Sequence, residues 1–289
     1  MKYTYYQKLS REVEGPCNIC GRICKLTWDH VPPKNSFNRY PIKYNPLLEI
    51  TKQDEVIKQS TSQKGIRFRT ICDSCNNDLL GKRYDPVMQE MSEFVKQYMT
   101  TEIEIPRDLT IDIKINRLCR AICGHLLAAL VTYDDVILID KSLREYVLDP
   151  NRLPPTGMQL LAWPYPYGSI VVSRNIVVKA RSELVHFPDG VVSFISSFPV
   201  SYVLHDGTDN CGLVDLFSFC TTNIDDVVPV PIDFSSMMYP NTSVYRNLKW
   251  PCDLSETPYA AMFVLGSKLY LDGSVFAIQS KESVNQIIL

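Results

Sequence analysis

The sequence contains no apolar run long enough to cross a membrane. Its longest near-apolar stretch, residues 121–131, is interrupted by Gly124 and His125 and is far shorter than the roughly 20 residues of a transmembrane helix. The N-terminal segment MKYTYYQKLSREVEGP also has no hydrophobic region of the kind found in secretory signals. We therefore predict a cytoplasmic protein that does not associate with membranes.

Glycine is scarce as well, with 12 residues in a chain of 289, and together with the 19 prolines it is too infrequent for a collagen-like or low-complexity protein. Hydrophobic residues make up 45% of the chain and charged residues 21%, as in globular rather than disordered proteins. A chain of this length forms one large domain or about two. A shift in composition places the expected boundary between residues 1–105 and residues 106–289.

The net charge of −2 is distributed unevenly. Residues 1–100 carry 16 Lys and Arg against 11 Asp and Glu, whereas the rest of the chain carries 14 against 21. A basic region is suited to a polyanion such as DNA. The acidic remainder would repel a polyanion, so we expect it to bind a regulatory protein or a small ligand.

Two strands are expected in the N-terminal part. The first covers residues 25–30 and places Leu26 and Trp28 on one face. The second covers residues 66–71, IRFRTI. The polar and poorly periodic residues 35–64 between them predict an inserted loop.

Helices and further strands are expected after these two strands. A short helix following Cys75 is predicted to end at Gly81, and Pro86 fits the first turn of the next helix. Another helix is expected at residues 116–132. The β-branched runs in residues 160–289 predict a mainly β region, so the fold class is α+β.

Ten cysteines occur in the chain, and in a cytosolic protein they favour metal binding over disulfides. Cys17 and Cys20 form one C-x2-C pair, and Cys72 and Cys75 form another. Four thiolates complete the tetrahedral coordination of Zn²⁺ and leave no open position for a substrate. We therefore predict a structural zinc site without catalytic chemistry of its own.

A second group of metal-binding residue types lies on the helix predicted at residues 116–132. Cys119 and Cys123 share one face of it, but His125 points to another side. This spacing does not favour a joint metal site, so we interpret both cysteines as small core residues.

The order of the N-terminal motifs resembles that of the HNH, or ββα-metal, endonucleases. CNIC is followed by WDHVPPK and then by CDSCNN, as in the branch where two C-x2-C knuckles flank a strand ending in Asp-His. The resemblance covers about residues 15–100 and implies a zinc-stapled ββα-metal domain that cleaves DNA. The string DHVPPK is similar to bacterial HNH proteins, which implies an effector of anti-phage defence.

The resemblance also implies a role for each site residue. His30 would be the general base, because a neutral imidazole accepts a proton from water near pH 7. Asp29 and Asn76 would hold a catalytic Mg²⁺ or Mn²⁺ through oxygen atoms. Asn77 is the alternative to Asn76, because a shift of one residue on a helix changes which amide faces the ion.

Charged residues near these motifs have two interpretations. Lys34, Lys82 and Arg83 either bind phosphate or form an ordinary solvated surface. Asp85 is a candidate for orienting His30 or for adding a metal ligand.

One position departs from the family pattern. The asparagine that usually precedes the second knuckle, and that ties down the loop carrying the catalytic histidine, is replaced by Arg67. We expect Asn35, Asn38 or Asn45 to take over this function if the loop is held in the same way.

Two other functions remain open. The chain is an alternative candidate for a non-catalytic zinc-stapled module that binds DNA or RNA, or for a protein-interaction scaffold with a degenerate nuclease fold. The carboxylate of Asp29 argues against the binding module unless a cation sits beside it. The oligomeric state is open as well.

Overall fold

The structure is a computed structural model. It describes residues 4–5, 9–36, 38–46, 56–57, 60–100, 109–133, 135, 137–166, 169–180, 190–207, 210, 212–234, 260–263 and 275–279. Their architecture is mixed α+β, as predicted. The expected domain boundary near residue 105 lies outside the described residues, so the division into two domains stays a prediction.

Short and long strands alternate with a few helices along the described residues. The strands β1 to β16 span Thr4–Tyr5, Glu14–Pro16, Ile23–His30, Ile42–Pro46, Val56–Ile57, Ser60–Ser62, Arg67–Cys72, Leu109–Ile113, Gln159–Pro164, Ser169–Ala180, Gly190–Ser197, Val200–His205, Val214–Asp215, Val228–Ile232, Ala260–Phe263 and Val275–Gln279. The helices are a π-helix at Ser74–Tyr84, α1 at Asp85–Met99, α2 at Ile115–Ala128, α3 at Leu138–Leu148 and a 3-10 turn at Leu216–Phe219.

The largest sheet is antiparallel and has nine strands in the described residues. Its order is β13-β9-β12-β11-β10-β16-β4-β6, and β15 pairs with the far end of β10. Most of these strands follow residue 159, where a mainly β region was predicted. However, β4, β5 and β6 lie within residues 35–64, so the prediction of a loop there is wrong for these three strands. Strand β4 pairs with β16 and with β6 in the large sheet, whereas β5 pairs with β1.

The predicted N-terminal strands form a separate antiparallel sheet, β2-β3-β7. A bulge interrupts the pairing of β3 with β7 beside Thr27 and Trp28, and its extra residue is Thr70 on β7. Strand β3 gains no residue, so the alternation that predicts a common face for Leu26 and Trp28 is kept. Burial differs along this face, because Leu26 is buried and Trp28 is exposed, while Asp29 on the other face is buried.

The helix after the second knuckle does not end at Gly81. It continues as a π-helix to Tyr84 and runs directly into α1, with Pro86 in its first turn as predicted. A glycine inside a helix costs only about 1 kcal/mol. Burial of Leu80 and Tyr84 on either side of it stabilises the helix by more than this.

Helix α2 is the centre of the core. Every residue of α2 except Arg117 is buried, and the helix packs against the π-helix, α1, α3, β7 and β11. Cys119 and Cys123 are core residues, as predicted. At Gly124, a Cβ atom would lie 2.5 Å from a methyl group of Leu80, so only glycine lets α2 approach the π-helix this closely. This approach brings the next residue, His125, to the end of β3.

Candidate functional site

The four knuckle cysteines converge at one point of the structure. Their sulfur atoms all lie within 4.8 Å of one another, and the sulfurs of Cys20 and Cys72 are 3.8 Å apart. Zinc–sulfur bonds of about 2.3 Å in a tetrahedron place two sulfurs about 3.8 Å apart. The arrangement therefore fits a metal ion such as zinc, as the sequence predicted.

Three separate elements supply these sulfurs. Cys17 and Cys20 lie in the turn between β2 and β3, Cys72 ends β7, and Cys75 lies in the first turn of the π-helix. The backbone N–H of Cys72 donates to the Cys17 sulfur at 3.3 Å, which favours its thiolate form. The pKa of Cys17 falls to about 5 because the Cys75 thiol donates a hydrogen bond to it. The cluster thus carries negative charge that a divalent cation would neutralise.

His30 is the last residue of β3 and is half-buried. Its Nε2 atom lies 2.9 Å from the backbone oxygen of Lys64. A carbonyl oxygen only accepts hydrogen bonds, so Nε2 carries the proton and Nδ1 keeps its lone pair. Burial lowers the pKa of His30 to about 4, and the positive charges of Arg67 and Lys34 act in the same direction. His30 is therefore a neutral imidazole at pH 7.

The loop after His30 is tied to β7 by Asn38. This side chain is fully buried, and its amide nitrogen donates to the backbone oxygens of Pro32 at 2.7 Å and Ile66 at 2.8 Å. Its amide oxygen accepts from the backbone N–H of Ile66 at 2.7 Å. Asn38 thus holds the loop, as one of the three asparagines suggested by the sequence, whereas Asn35 is exposed. The side chain of Asn45 lies outside the part of the chain that the structure describes.

Gly65 lies between Lys64, whose carbonyl oxygen contacts His30, and Ile66, whose backbone binds the side chain of Asn38. The backbone φ of Gly65 is 71°, a conformation that favours glycine. A Cβ atom here would lie 2.2 Å from the side-chain oxygen of Asn38. Gly65 is therefore needed for the orientation of His30 as well as for the turn.

Replacing Asn38 by alanine is expected to loosen this loop. The change leaves three backbone groups in the interior without their partner, which costs at least about 2 kcal/mol. The matched control is Asn35→Ala in the same loop, where only an exposed hydrogen bond to Gln89 is lost and the expected change is within about 0.5 kcal/mol. Urea unfolding of both variants measures the difference, and equal stabilities would contradict the role of Asn38.

A buried network of three side chains joins β3 to the helices. Nδ1 of His125 donates to the Asp29 carboxylate at 3.0 Å, and Nε2 donates to the Asp85 carboxylate at 2.8 Å. Burial alone would lower the pKa of His125, but the Asp85 and Asp29 carboxylates raise it to about 10. His125 is therefore an imidazolium at pH 7 and holds Asp29 against the start of α1.

This role of His125 was missed in the sequence analysis. It lies 96 residues from Asp29, and on its own helix it was compared only with Cys119 and Cys123. The available signal was Gly124, since a glycine inside an apolar helix indicates close approach of another element. Asp85 contacts His125 rather than His30, so the suggestion that it orients His30 is wrong.

Asn76 and Asn77 face different surroundings. The Asn76 amide nitrogen donates to the Thr27 hydroxyl and to the Trp28 carbonyl, both at 3.0 Å. Because the nitrogen faces β3, the amide oxygen is the atom left for another partner. The Asn77 amide instead donates to the exposed carboxylate of Asp73. Of the two alternatives, Asn76 is the one that faces the strand carrying Asp29 and His30.

The three predicted phosphate-binding residues are in different situations. Lys82 forms an exposed ion pair with Asp78 at 2.8 Å, and the Arg83 guanidinium lies 5.6 Å from the ring of Tyr84. Lys34 is exposed, and its charge acts on His30. Only Lys34 is linked by these contacts to the candidate site.

Only two of the predicted ligands of a catalytic ion are protein side chains, compared with four cysteines for zinc. Asp29 and Asn76 offer the oxygen ligands that Mg²⁺ or Mn²⁺ prefers. However, Asp29 is only 5% exposed and shares its carboxylate with His125. Among the described residues, the four cysteines form the only group of three or more His, Cys, Asp and Glu ligands that converge within 4.8 Å.

The described residues include no helix with the length and apolar character needed to span a membrane. Comparisons with protein-family models, with curated proteins and with solved structures found no match to this chain.

Proposed function

We propose that the protein is a metal-dependent endonuclease of the HNH type, with His30 as the general base. The observation that carries the proposal is the state of His30. Its Nε2–H is held by the Lys64 carbonyl, which leaves a neutral Nδ1 as the proton acceptor at pH 7. A base in hydrogen-bond reach of a water, with its other nitrogen fixed, is what hydrolysis requires.

The surrounding structure keeps this base in place. The cysteine cluster joins the turn before β3, the end of β7 and the start of the π-helix, so bound zinc would fix β3 relative to Asn76. Asn38 holds the loop after His30 from the other side. Precise positioning of catalytic groups contributes strongly to rate, which supports a catalytic rather than a merely structural site.

Hydrolysis adds water across a phosphodiester bond. The water oxygen bonds to phosphorus, its proton passes to Nδ1 of His30, and the bond from phosphorus to the 3′ oxygen breaks. Solvent protonates the departing oxygen, and His30 returns its proton to solvent. A divalent ion held by Asn76, with Asp29 as its second ligand once that carboxylate leaves His125 and turns to the His30 side of β3, would supply charge stabilisation on the phosphate and the leaving oxygen.

Partners and context follow from the same proposal. DNA is the substrate, and the acidic C-terminal part binds a regulatory protein or a small ligand that controls cleavage. An anti-phage defence role extends the proposal through the resemblance to bacterial HNH proteins. Purified protein mixed with plasmid DNA tests the activity itself, because cleavage should occur with Mg²⁺ or with Mn²⁺ and should cease when EDTA removes all divalent ions.

The pair Asn76→Ala and Asn77→Ala tests the metal ligand. Asn76→Ala is expected to reduce cleavage at limiting Mn²⁺ by about 10-fold or more, with partial recovery at high Mn²⁺, because one oxygen ligand is lost. Asn77→Ala should cleave like the wild-type protein. Rates measured across a Mn²⁺ titration separate the two.

Two results would count against the proposal. If both asparagine variants behave alike at every Mn²⁺ concentration, Asn76 is not a ligand. If the wild-type protein cleaves neither plasmid nor single-stranded DNA with any divalent ion, and no partner of the acidic region activates it, the non-catalytic alternatives are favoured.

A further inference from the structure

The outer face of the β3–β7 hairpin carries an aromatic side chain beside His30. Trp28 pairs directly with Arg69 across the two strands, and His30 pairs with Arg67. Because directly paired residues point to the same side of a sheet, as do residues two apart on one strand, these four residues lie on one face of the hairpin, opposite Asp29 and Phe68. Trp28 and His30 are two residues apart on the same strand, a separation of about 7 Å.

Trp28 lies between two guanidinium groups and remains accessible. The central carbon atoms of Arg67 and Arg69 are each 5.3 Å from the centre of the indole ring, within the range of cation–π contacts. Trp28 is nevertheless 44% exposed. Neither arginine forms an ion pair with an acidic side chain of the described residues, so their charges are available to an anion.

We infer that this face binds single-stranded nucleic acid by stacking an unpaired base on Trp28, with the neighbouring phosphate directed toward His30. An exposed aromatic ring combined with positive charge is the arrangement that recognises single strands. In a duplex the faces of the bases are covered by stacking, so only an unpaired or displaced base reaches the ring. This inference rests on the proposed function, because it assigns the substrate of the same site.

Arg69 and Arg67 have separate tasks on this face. The guanidinium of Arg69 donates to the backbone oxygen of Arg11 at 2.6 Å, which fixes it beside the ring. Arg67 lies opposite His30, and its charge acts on that imidazole. A phosphate next to the stacked base would therefore meet the positive charge of Arg67 at the position where hydrolysis is proposed.

The test measures binding without cleavage. His30→Ala protein is titrated, without added Mg²⁺ or Mn²⁺, into fluorescein-labelled strands of equal length: oligo-dT, oligo-U, an abasic strand and a duplex. Fluorescence anisotropy should show both base-containing strands bound more tightly than the abasic strand and the duplex. Because thymine carries a methyl group that uracil lacks, an oligo-dU strand is included, and any difference between oligo-dU and oligo-U then identifies the preferred sugar.

The second part of the test replaces Trp28 in the same background. Trp28→Ala is expected to weaken binding of oligo-dT by about 5- to 150-fold, with little effect on the abasic strand. Trp28→Phe keeps an aromatic face and should retain most of the affinity, which guards against a folding defect. Ile23→Ala is the matched control, because Ile23 is 84% exposed on the same strand. This variant should bind oligo-dT with unchanged affinity.

The results also separate this inference from the nuclease proposal. Equal binding of oligo-dT and the abasic strand, or an unchanged affinity of Trp28→Ala, overturns the stacking role. Metal-dependent plasmid cleavage that does not depend on Trp28 would overturn it while leaving the nuclease in place. Base-dependent binding by a wild-type protein that cleaves no nucleic acid would support the stacking role and contradict the nuclease.

Discussion

Replacing Cys72 by serine is expected to remove bound zinc and to destabilise the N-terminal sheet. Cys72 ends β7 and shares the cluster with residues from the β2–β3 turn and the π-helix. Without the Cys72 thiolate, zinc keeps only three of the four sulfur ligands that a structural site requires. The three remaining sulfurs then lie close together with no metal ion to hold them. Loss of a metal site belongs to the few changes that cost about 4 kcal/mol or more, which corresponds to a fall of about 10 °C in Tm.

Elemental analysis of the purified protein and thermal unfolding check this result. The matched control is Cys24→Ser, because Cys24 lies on β3 close to the cluster but is not among the four converging sulfurs. Its thiol donates to the backbone oxygen of Arg22 at 3.2 Å, and its contact with Cys72 is one that a serine hydroxyl can also make, so the zinc content should stay at one ion per chain. Equal zinc contents in the two variants, or a wild-type protein without zinc, would contradict the assignment.

Local signals in the sequence were sufficient for the zinc cluster. Each C-x2-C pair brings its own two sulfurs together, and the order of knuckle, strand and helix places the two pairs at neighbouring positions. Likewise, β7 and the first turn of α1 were predicted from short runs of β-branched residues and from Pro86. These features depend on residues close together in the chain, where spacing alone carries the geometry.

Features that depend on one extra residue were not predictable in the same way. The extra residue of the bulge is Thr70 on β7, and nothing in the string IRFRTI marks it. Because of it, Arg69 rather than Thr70 pairs with Trp28, and Arg67 rather than Phe68 pairs with His30. The proposed stacking face depends on this register.

Contacts between distant segments were the other source of error. Asn38 binds the backbone of Ile66, which precedes β7 and lies 28 residues further along the chain. The sequence analysis proposed three asparagines for this function and did not choose among them. His125 reaches Asp29 because the core packs α2 against the π-helix, which no local pattern reveals. Since buried networks of this kind are built from tertiary packing, a single sequence indicates their members only after the fold is known.

Replacing His30 by alanine is expected to reduce metal-dependent cleavage by about 100- to 10,000-fold, the usual contribution of a general base. His30 lies at the end of β3, away from the four cysteine sulfurs, so zinc content should remain at the wild-type level. Plasmid cleavage with Mg²⁺ or Mn²⁺, run beside elemental analysis of the same preparations, measures both quantities. Loss of zinc together with activity would instead make His30 a structural residue.

The variant His30→Gln separates proton transfer from loop stability. The amide nitrogen of glutamine can donate to the Lys64 carbonyl as Nε2 of His30 does, but a glutamine amide has no basic lone pair near pH 7. If His30 acts as a base, His30→Gln should be as inactive as His30→Ala while unfolding at the wild-type temperature. If glutamine restores cleavage, the hydrogen bond to Lys64 is the functional contribution of His30, and another group must take the proton from water.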